Sequence, residues 1–156
     1  GVDGTRELLV EDLYRAPGVT SLAQSDIITR FTLPLPPREF GSAHVKLGKR
    51  GSGTDIALAG VSASVVVDGD GSIVDCRIAL ASLGPTPFRA LEAEAILRSA
   101  RLTGDLLAAA AESASREARP IDDMRASASY RVLLARVLTF RALVGATRSA
   151  GVEVAR

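Results

Sequence analysis

Both lysines of this chain, Lys46 and Lys49, lie in one glycine-rich stretch that runs from Lys46 to Ala57. Clustered cations on a loop are suited to binding an anion or the polar edge of a cofactor. The stretch is not a P-loop, because Arg50 stands where that motif has Ser or Thr and the glycine spacing differs. No helical pattern follows it to supply an N-terminal dipole. From the residues alone, a solvated basic turn and a cofactor-binding loop both remain open.

Other reactive side chains give weaker signals. Asp68 and Asp70 resemble the opening of a calcium loop, but residue 79 is Ala where that loop has Glu, so a hairpin turn is favoured. His44 has no acidic or cysteine neighbour in sequence, and we expect a structural or surface role. Cys76 lies in an apolar run and is expected to be a small core residue. The pair at 122–123 is expected to begin a helix, where carboxylates favour the positive end of the dipole.

Composition restricts the class of protein. The 156 residues suffice for one domain with a core, and 47% of them are apolar. One cysteine and one histidine make a metal site built by this chain alone improbable. A net charge of +1 and few aromatic residues argue against nucleic-acid binding. We expect no membrane span, since no long apolar run occurs, and with no signal-peptide pattern we expect a cytoplasmic location.

The elements that must position these residues fall into three regions. Residues 1–37 predict strands over 6–10 and 26–33 with a turn at Pro17-Gly18, too little to bury a core. Residues 39–88 predict β-structure with a tight hairpin at 68–71. Residues 89–149 predict helices, the second of them capped by Thr103.

The last helix carries apolar residues near helical spacing, and they predict its inner face. Those residues are Tyr130, Leu133, Leu134, Val137, Leu138 and the run from Phe140 to Val144. Arg131, Arg136 and Arg141 are expected to form a solvated face. Strands followed by helices predict an α+β fold, with an antiparallel sheet of three to four strands against about three helices.

Three segments in order resemble a known family. The first is residues 5–34, which include Asp26-Ile27-Ile28-Thr29 and Leu33-Pro34. The second is residues 42–90, which run from the glycine-rich stretch with both lysines to Gly84-Pro85-Thr86-Pro87 and just beyond. The third is residues 119–131, with the sequence Arg-Pro-Ile-Asp-Asp-Met-Arg-Ala-Ser-Ala-Ser-Tyr-Arg. Together they resemble the C-terminal part of the FAD-binding medium subunit of molybdenum hydroxylases, the family of carbon monoxide and xanthine dehydrogenases. The third segment is the most specific.

The resemblance implies three domain assignments and two cofactor contacts. Residues 1–37 would be a remnant of the second FAD-binding subdomain, 38–150 the flavoprotein C-terminal domain and 151–156 a tail. Lys46 matches a lysine near the pyrimidine end of the flavin ring, and Ile28 matches an apolar residue that packs beside the flavin. Residues 47–55 match a loop that borders the flavin and controls access of the electron acceptor.

The resemblance also implies a cofactor and partners. The complete subunit binds FAD, mostly through an N-terminal half, and assembles with a small iron–sulfur subunit and a large molybdopterin subunit. This chain alone should bind FAD weakly or not at all. Its residues 1–37 should expose apolar surface, which makes a homo-oligomer a further alternative. The rival interpretations are a scaffolding module without a cofactor and an anion-binding domain that uses the Lys46–Gly53 loop.

Overall fold

The computed structural model describes residues 1, 4–50 and 55–154. These residues form four α-helices and two antiparallel sheets. In chain order the elements are α1 (Val10–Leu13), β1 (Tyr14–Ala16), β2 (Val19–Thr20), β3 (Phe40–Gly48), β4 (Ala57–Val67), β5 (Ile73–Ala81), β6 (Phe88–Arg89), α2 (Leu91–Leu97), α3 (Gly104–Glu117) and α4 (Ala128–Ser149).

The main sheet has the strand order β3-β4-β5-β6, and each strand is antiparallel to its neighbour. The predicted hairpin between β4 and β5 is confirmed. Gly71 has a φ of 77°, a conformation that glycine adopts without a steric penalty. The Asp68 carboxylate accepts hydrogen bonds from the backbone N–H groups of Asp70 (3.0 Å) and Ser72 (2.8 Å), so this aspartate shapes a turn.

One face of this sheet is covered by helices, and their junction is the core. Because side chains alternate along a strand, Val61, Ala63 and Val65 of β4 all point into that core together with Ile78 and Leu80 of β5. Helix α4 packs over β3 and β4, α2 packs against β5, and α3 lies between the two helices. The predicted α+β architecture, an antiparallel sheet of four strands against three helices, is confirmed.

The two longest helices, α3 and α4, begin at side-chain caps and pack closely. Thr103 accepts a hydrogen bond from the Leu106 N–H at 3.1 Å, which confirms it as the cap of α3. Helix α4 starts later than expected, with Ser127 as its cap. Gly41 on β3 lies directly under this helix, and a Cβ there would come within 2.1 Å of the Ala146 carbonyl oxygen. Only glycine permits so close an approach of the helix to the strand.

The N-terminal segment, residues 4–39, differs from this body. No residue within that range is buried. The predicted turn at Pro17-Gly18 is present and joins β1 to β2, but the strands predicted over 6–10 and 26–33 are wrong. A strand needs a partner for its backbone groups, and within the part of the chain that the structure describes neither stretch pairs with another strand. The expectation of exposed apolar surface is confirmed for the described residues, where Leu33 is 84% and Phe31 70% exposed.

The inner face predicted for α4 is correct only in part. Leu134, Leu138 and Leu143 are buried, whereas Tyr130 and Leu133 are exposed. The predicted stripe combined two apolar rows that lie on opposite sides of the helix. None of the helices in the described residues has the length and apolar character that crossing a membrane demands.

Candidate functional site

The uncovered face of the main sheet carries Lys46. Its exposed side chain stands on β3 opposite Gly60 of β4, which in turn pairs with Ala81 of β5. The two positions beside the lysine therefore carry only a hydrogen and a methyl group. This pattern places one cation beside two small residues, and the ring of His44 lies close to the same spot, with its Cε1 3.6 Å from where a Cβ on Gly60 would be.

The glycine-rich stretch from Lys46 to Ala57, which we call the lysine loop, leaves β3 at an irregularity in the strand pairing. The register shifts between Leu47 and Gly48, as at a β-bulge. A Cβ on Gly48 would lie 2.9 Å from the Cβ of Asp55, so a larger residue would push the two ends of the loop apart. The Asp55 carboxylate accepts a hydrogen bond from the Arg50 N–H, and the Asp55 carbonyl accepts one from Lys46 Nζ at 3.1 Å. Residues 51–54 of the predicted acceptor-access loop lie outside the described residues.

Arg131 of α4 forms hydrogen bonds to the start of β4, where the lysine loop ends. The expectation that it lies on a solvated face is wrong, since it is 5% exposed. Its Nη1 donates to the carbonyl of Leu58 at 2.5 Å, one residue after β4 begins, and to the carbonyl of Ser82 at 3.3 Å. Its Nη2 lies 2.9 Å from both carboxylate oxygens of Asp123. One guanidinium thus joins α4, both ends of the central hairpin and the segment before α4.

Asp123 organises that preceding segment, residues 119–127. Its carboxylate accepts hydrogen bonds from the N–H groups of Arg125 (2.8 Å) and Ala126 (3.0 Å). These bonds, with the Arg131 guanidinium, hold the pKa of Asp123 well below its usual range. Lys49 Nζ donates a hydrogen bond to the carbonyl of Met124 at 3.5 Å, and this contact connects the lysine loop to the segment. Asp122 accepts a bond from the Ala128 N–H at 2.7 Å, and this helix-start contact agrees with prediction for one of the two aspartates.

The sequence contains a signal for the burial of Arg131, although its charge led to the opposite prediction. The residue lies three, four and seven positions before Leu134, Ala135 and Leu138, which are buried. That phase identifies Arg131 as part of the inner face. Charge alone suggested solvent exposure. The buried guanidinium is stabilised because two carbonyls and Asp123 accept from its Nη1 and Nη2, although its Nε has no hydrogen-bond partner among the described residues.

A second ion pair lies at the opposite edge of the sheet. Glu94 of α2 is fully buried, and its Oε1 accepts bonds from the Ile78 N–H and from Arg89 Nε, both at 2.9 Å. The hydrogen bonds to Glu94 raise the pKa of the Arg89 guanidinium above its ordinary value. Arg89 borders a shallow groove on the open face, where His44 Nδ1 lies 2.9 Å from Ser62 Oγ. A surface position for His44 is confirmed.

Cys76 has no reactive setting. It is 1% exposed, and burial raises the pKa of its thiol to about 11, so little thiolate exists at neutral pH. The prediction of a small core residue is confirmed. Across the described residues, no group of three or more His, Cys, Asp or Glu side chains is arranged to hold a metal ion.

Ile28 belongs to the N-terminal segment rather than to the sheet. It is 47% exposed and lies in an irregular stretch. That stretch is tied to earlier residues by exposed ion pairs, Arg6 to Asp26 at 2.7 Å and Arg30 to Glu7 at 3.2 Å. Its assignment as a flavin contact stays a prediction, as does that of Lys46.

An α+β sandwich with one helical face, one open face and a lysine loop at its border is the class that the geometry defines. Residues 43–146 match the family model described as the CO dehydrogenase flavoprotein C-terminal domain. The chain belongs to this family.

Relatives along nearly the whole chain agree with this assignment. The xanthine dehydrogenase FAD-binding subunit of Escherichia coli O157:H7 is 32% identical over 149 residues, which are 95% of this chain and 50% of that protein. The carbon monoxide dehydrogenase medium chain of Afipia carboxidovorans is 32% identical over 92% of this chain and 49% of its own length. A solved structure, reconstituted CO dehydrogenase from Oligotropha carboxidovorans, superposes with a TM-score of 0.87 at 29% identity, covering 96% of this chain and 51% of that one. The chain thus spans about half the length of these relatives.

Proposed function

We propose that this chain is the C-terminal part of the FAD-binding subunit of a molybdenum hydroxylase and forms one wall of its flavin site. The observation that carries the proposal is the position of Lys46 beside Gly60 and Ala81, on the uncovered face of a domain from a flavoprotein family. When bound, FAD supplies the redox chemistry of such a subunit. Electrons would reach it from iron–sulfur clusters and leave to NAD, a quinone or oxygen.

The role proposed for Lys46 is electrostatic. A cation beside these small residues would stabilise negative charge on a reduced flavin ring. The hydrogen bond from its Nζ to the Asp55 carbonyl keeps the ammonium near the surface instead of extended into solvent. Because Asp55 also accepts from the Arg50 N–H, the same contact links the lysine to the loop that we propose borders the acceptor's path.

The residues present fit the ring of the cofactor better than the whole dinucleotide. Lys46 and its small neighbours offer one cation next to residues without large side chains, and Ile28 would add an apolar contact at the side. Most of the contacts to FAD would come from the N-terminal half of the subunit. The apolar side chains exposed on residues 4–39, Leu33 and Phe31 among them, are suited to packing against that half. We therefore expect the chain alone to bind FAD weakly.

The proposal includes partners and a location. The complete subunit would assemble with the small iron–sulfur subunit and the large molybdopterin subunit, in the cytoplasm. Residues 1–37 would belong to the second FAD-binding subdomain, 38–150 to the C-terminal domain and 151–156 to a tail. The substrate would be bound by the large subunit.

A flavin titration with a charge-deletion variant tests the role of Lys46. Replacing Lys46 by Met removes the charge and keeps most of the aliphatic stem, and Lys49→Met is the matched control in the same loop. FAD is titrated into each protein and followed by its absorbance and fluorescence. We expect weak binding that Lys46→Met reduces about tenfold and Lys49→Met changes less than threefold, as a close ionic contact implies. Equal effects of the two variants would contradict the assignment of Lys46.

A further inference from the structure

Helix α4 carries a second apolar row that lies mostly outside the core, and of its members Val144 alone packs against the core cluster. Leu133, Val137, Phe140 and Val144, with Tyr130 before them, follow one another at spacings of three and four residues on the side away from the sheet. We call these five residues the outer seam. Leu133 is 44% exposed and Phe140 38%, while Val137 and Val144 are half-buried. The 3–4 spacing is that of a coiled-coil contact, and fifteen residues make a row about 21 Å long.

The charges along this helix have one sign. Helix α4 contains four arginines and neither Asp nor Glu. Arg131 is engaged by Asp123 in the core, and Arg136 lies 3.5 Å from Glu112 of α3. Arg141 and Arg148 border the outer seam and, over the described ranges, neither forms an ion pair within the protein. An exposed apolar row is therefore accompanied by two cations without an anionic counterpart.

We propose that the outer seam binds an amphipathic helix of another polypeptide, whose apolar row is flanked by Asp or Glu. An apolar row at 3–4 spacing fits the apolar stripe of a partner helix, and carboxylates beside that stripe would pair with Arg141 and Arg148. A second copy of α4 fits poorly, because it would bring arginines against arginines without a carboxylate from either helix. The proposal is independent of Lys46 and of the flavin.

Two designed helical peptides test the proposal. Both are 18 residues long with Leu at the a and d positions of a heptad; one has Glu and the other Lys at the e and g positions. Each is labelled, held at nanomolar concentration and titrated with the protein while fluorescence anisotropy is recorded. We expect the Glu peptide to bind at least tenfold more tightly than the Lys peptide, with a preference that decreases as salt is raised.

Surface variants assign the binding to the outer seam. Leu133→Glu combined with Phe140→Glu should abolish binding of the Glu peptide, whereas Leu35→Glu, at a 96% exposed site in the N-terminal segment, should leave it unchanged. Arg141→Glu combined with Arg148→Glu should reverse the preference towards the Lys peptide. Circular dichroism confirms that each variant is folded, and Leu133→Ala with Phe140→Ala serves as a milder pair that should weaken binding about tenfold.

Three results would overturn the proposal. Equal affinity for both peptides would remove the charge argument, and an unchanged preference in the charge-swapped variant would place binding elsewhere. A dimer in light scattering that Leu133→Glu dissociates would identify a second copy as the occupant. Co-sedimentation with phosphatidylserine vesicles, combined with no peptide binding, would identify an anionic membrane surface instead.

Discussion

The N-terminal segment and the sheet-and-helix body are both rich in apolar residues, yet only the body buries them. In the body, residues from β4, β5 and all three larger helices meet in one cluster. In residues 4–39 the apolar side chains remain exposed, and two short strands pair only with each other. The difference shows that apolar content does not by itself produce a core. A second layer must be present to cover each apolar face.

The sharpest test of this contrast compares one leucine from each region. Leu80 is fully buried on β5, and Leu33 is 84% exposed. Leu80→Ala should lower the free energy of unfolding by about 3 kcal/mol, because the core loses contacts and keeps a cavity. Leu33→Ala should change it by less than about 0.5 kcal/mol. Urea unfolding measures both values, and similar losses would mean that the segment is part of the cooperative unit.

Two arginines extend the comparison to ion pairs. Arg131 is buried against Asp123, whereas Arg6 pairs with Asp26 and its side chain is 50% exposed. Arg131→Met should cost about 3 kcal/mol of unfolding free energy, since two carbonyls and a carboxylate lose their donor. Arg6→Met should cost under about 1 kcal/mol. If Arg131→Met were neutral in urea unfolding, the apolar contacts of its stem would outweigh its hydrogen bonds.

Lowering the pH should affect the stability of the body through Asp123 and leave it unaffected through Asp26 of the N-terminal segment. The pKa of Asp123 is lowered by hydrogen bonds from Arg125 and Ala126 and by Arg131, and that of Asp26 by a bond from Ala23 and by Arg6. A lowered folded-state pKa contributes stability that is present above the unfolded value, near pH 4, and is lost as pH falls. Unfolding measured from pH 7 to pH 3 should show Asp123→Asn less stable than the parent at pH 7, with a gap that begins to narrow below about pH 4 and is still open at pH 3.

Asp26→Asn is the matched control. In the parent protein the pKa of Asp26 is lowered too. The segment around Asp26 is exposed, so global unfolding of the Asp26→Asn variant should keep the pH dependence of the parent protein. A shallower acid dependence in Asp26→Asn would show that the segment unfolds together with the body.

The smallest effect concerns two threonines that accept backbone hydrogen bonds. Thr103 caps α3 at 3.1 Å, and Thr20 accepts from the Leu22 N–H at 3.4 Å in the N-terminal segment. Thr103→Ala should cost about 1 kcal/mol of unfolding free energy, as caps do. Thr20→Ala should leave the thermal midpoint unchanged within error. Calorimetry of both variants measures the difference, and an unchanged midpoint for Thr103→Ala would show that packing alone holds the start of α3.

The sequence predicts the body well because its signals are local. Alternation in β4 and β5, the Asp-Gly turn and the Thr103 cap each depend on a few neighbouring residues. Residues 26–33 have the same local pattern as a strand but no partner, and a partner is not visible in one short segment. On α4 both sides are apolar, so periodicity could not decide between Leu133 and Leu134. The resemblance of residues 119–131 to a known family was correct, but the burial of Arg131 depends on carbonyls 49 and 73 residues away in sequence.

Chemical-shift mapping of this chain during a titration with FAD tests the central claim most directly, because it detects weak binding and locates it. Amide spectra recorded up to millimolar FAD should show shifts confined to the open face around Lys46, Gly60 and Asp55, with fast exchange and no stoichiometric flavin. Shifts centred elsewhere, on α4 for example, would contradict a flavin-site wall on this face. Tight stoichiometric binding would show that the chain holds far more of the site than we propose.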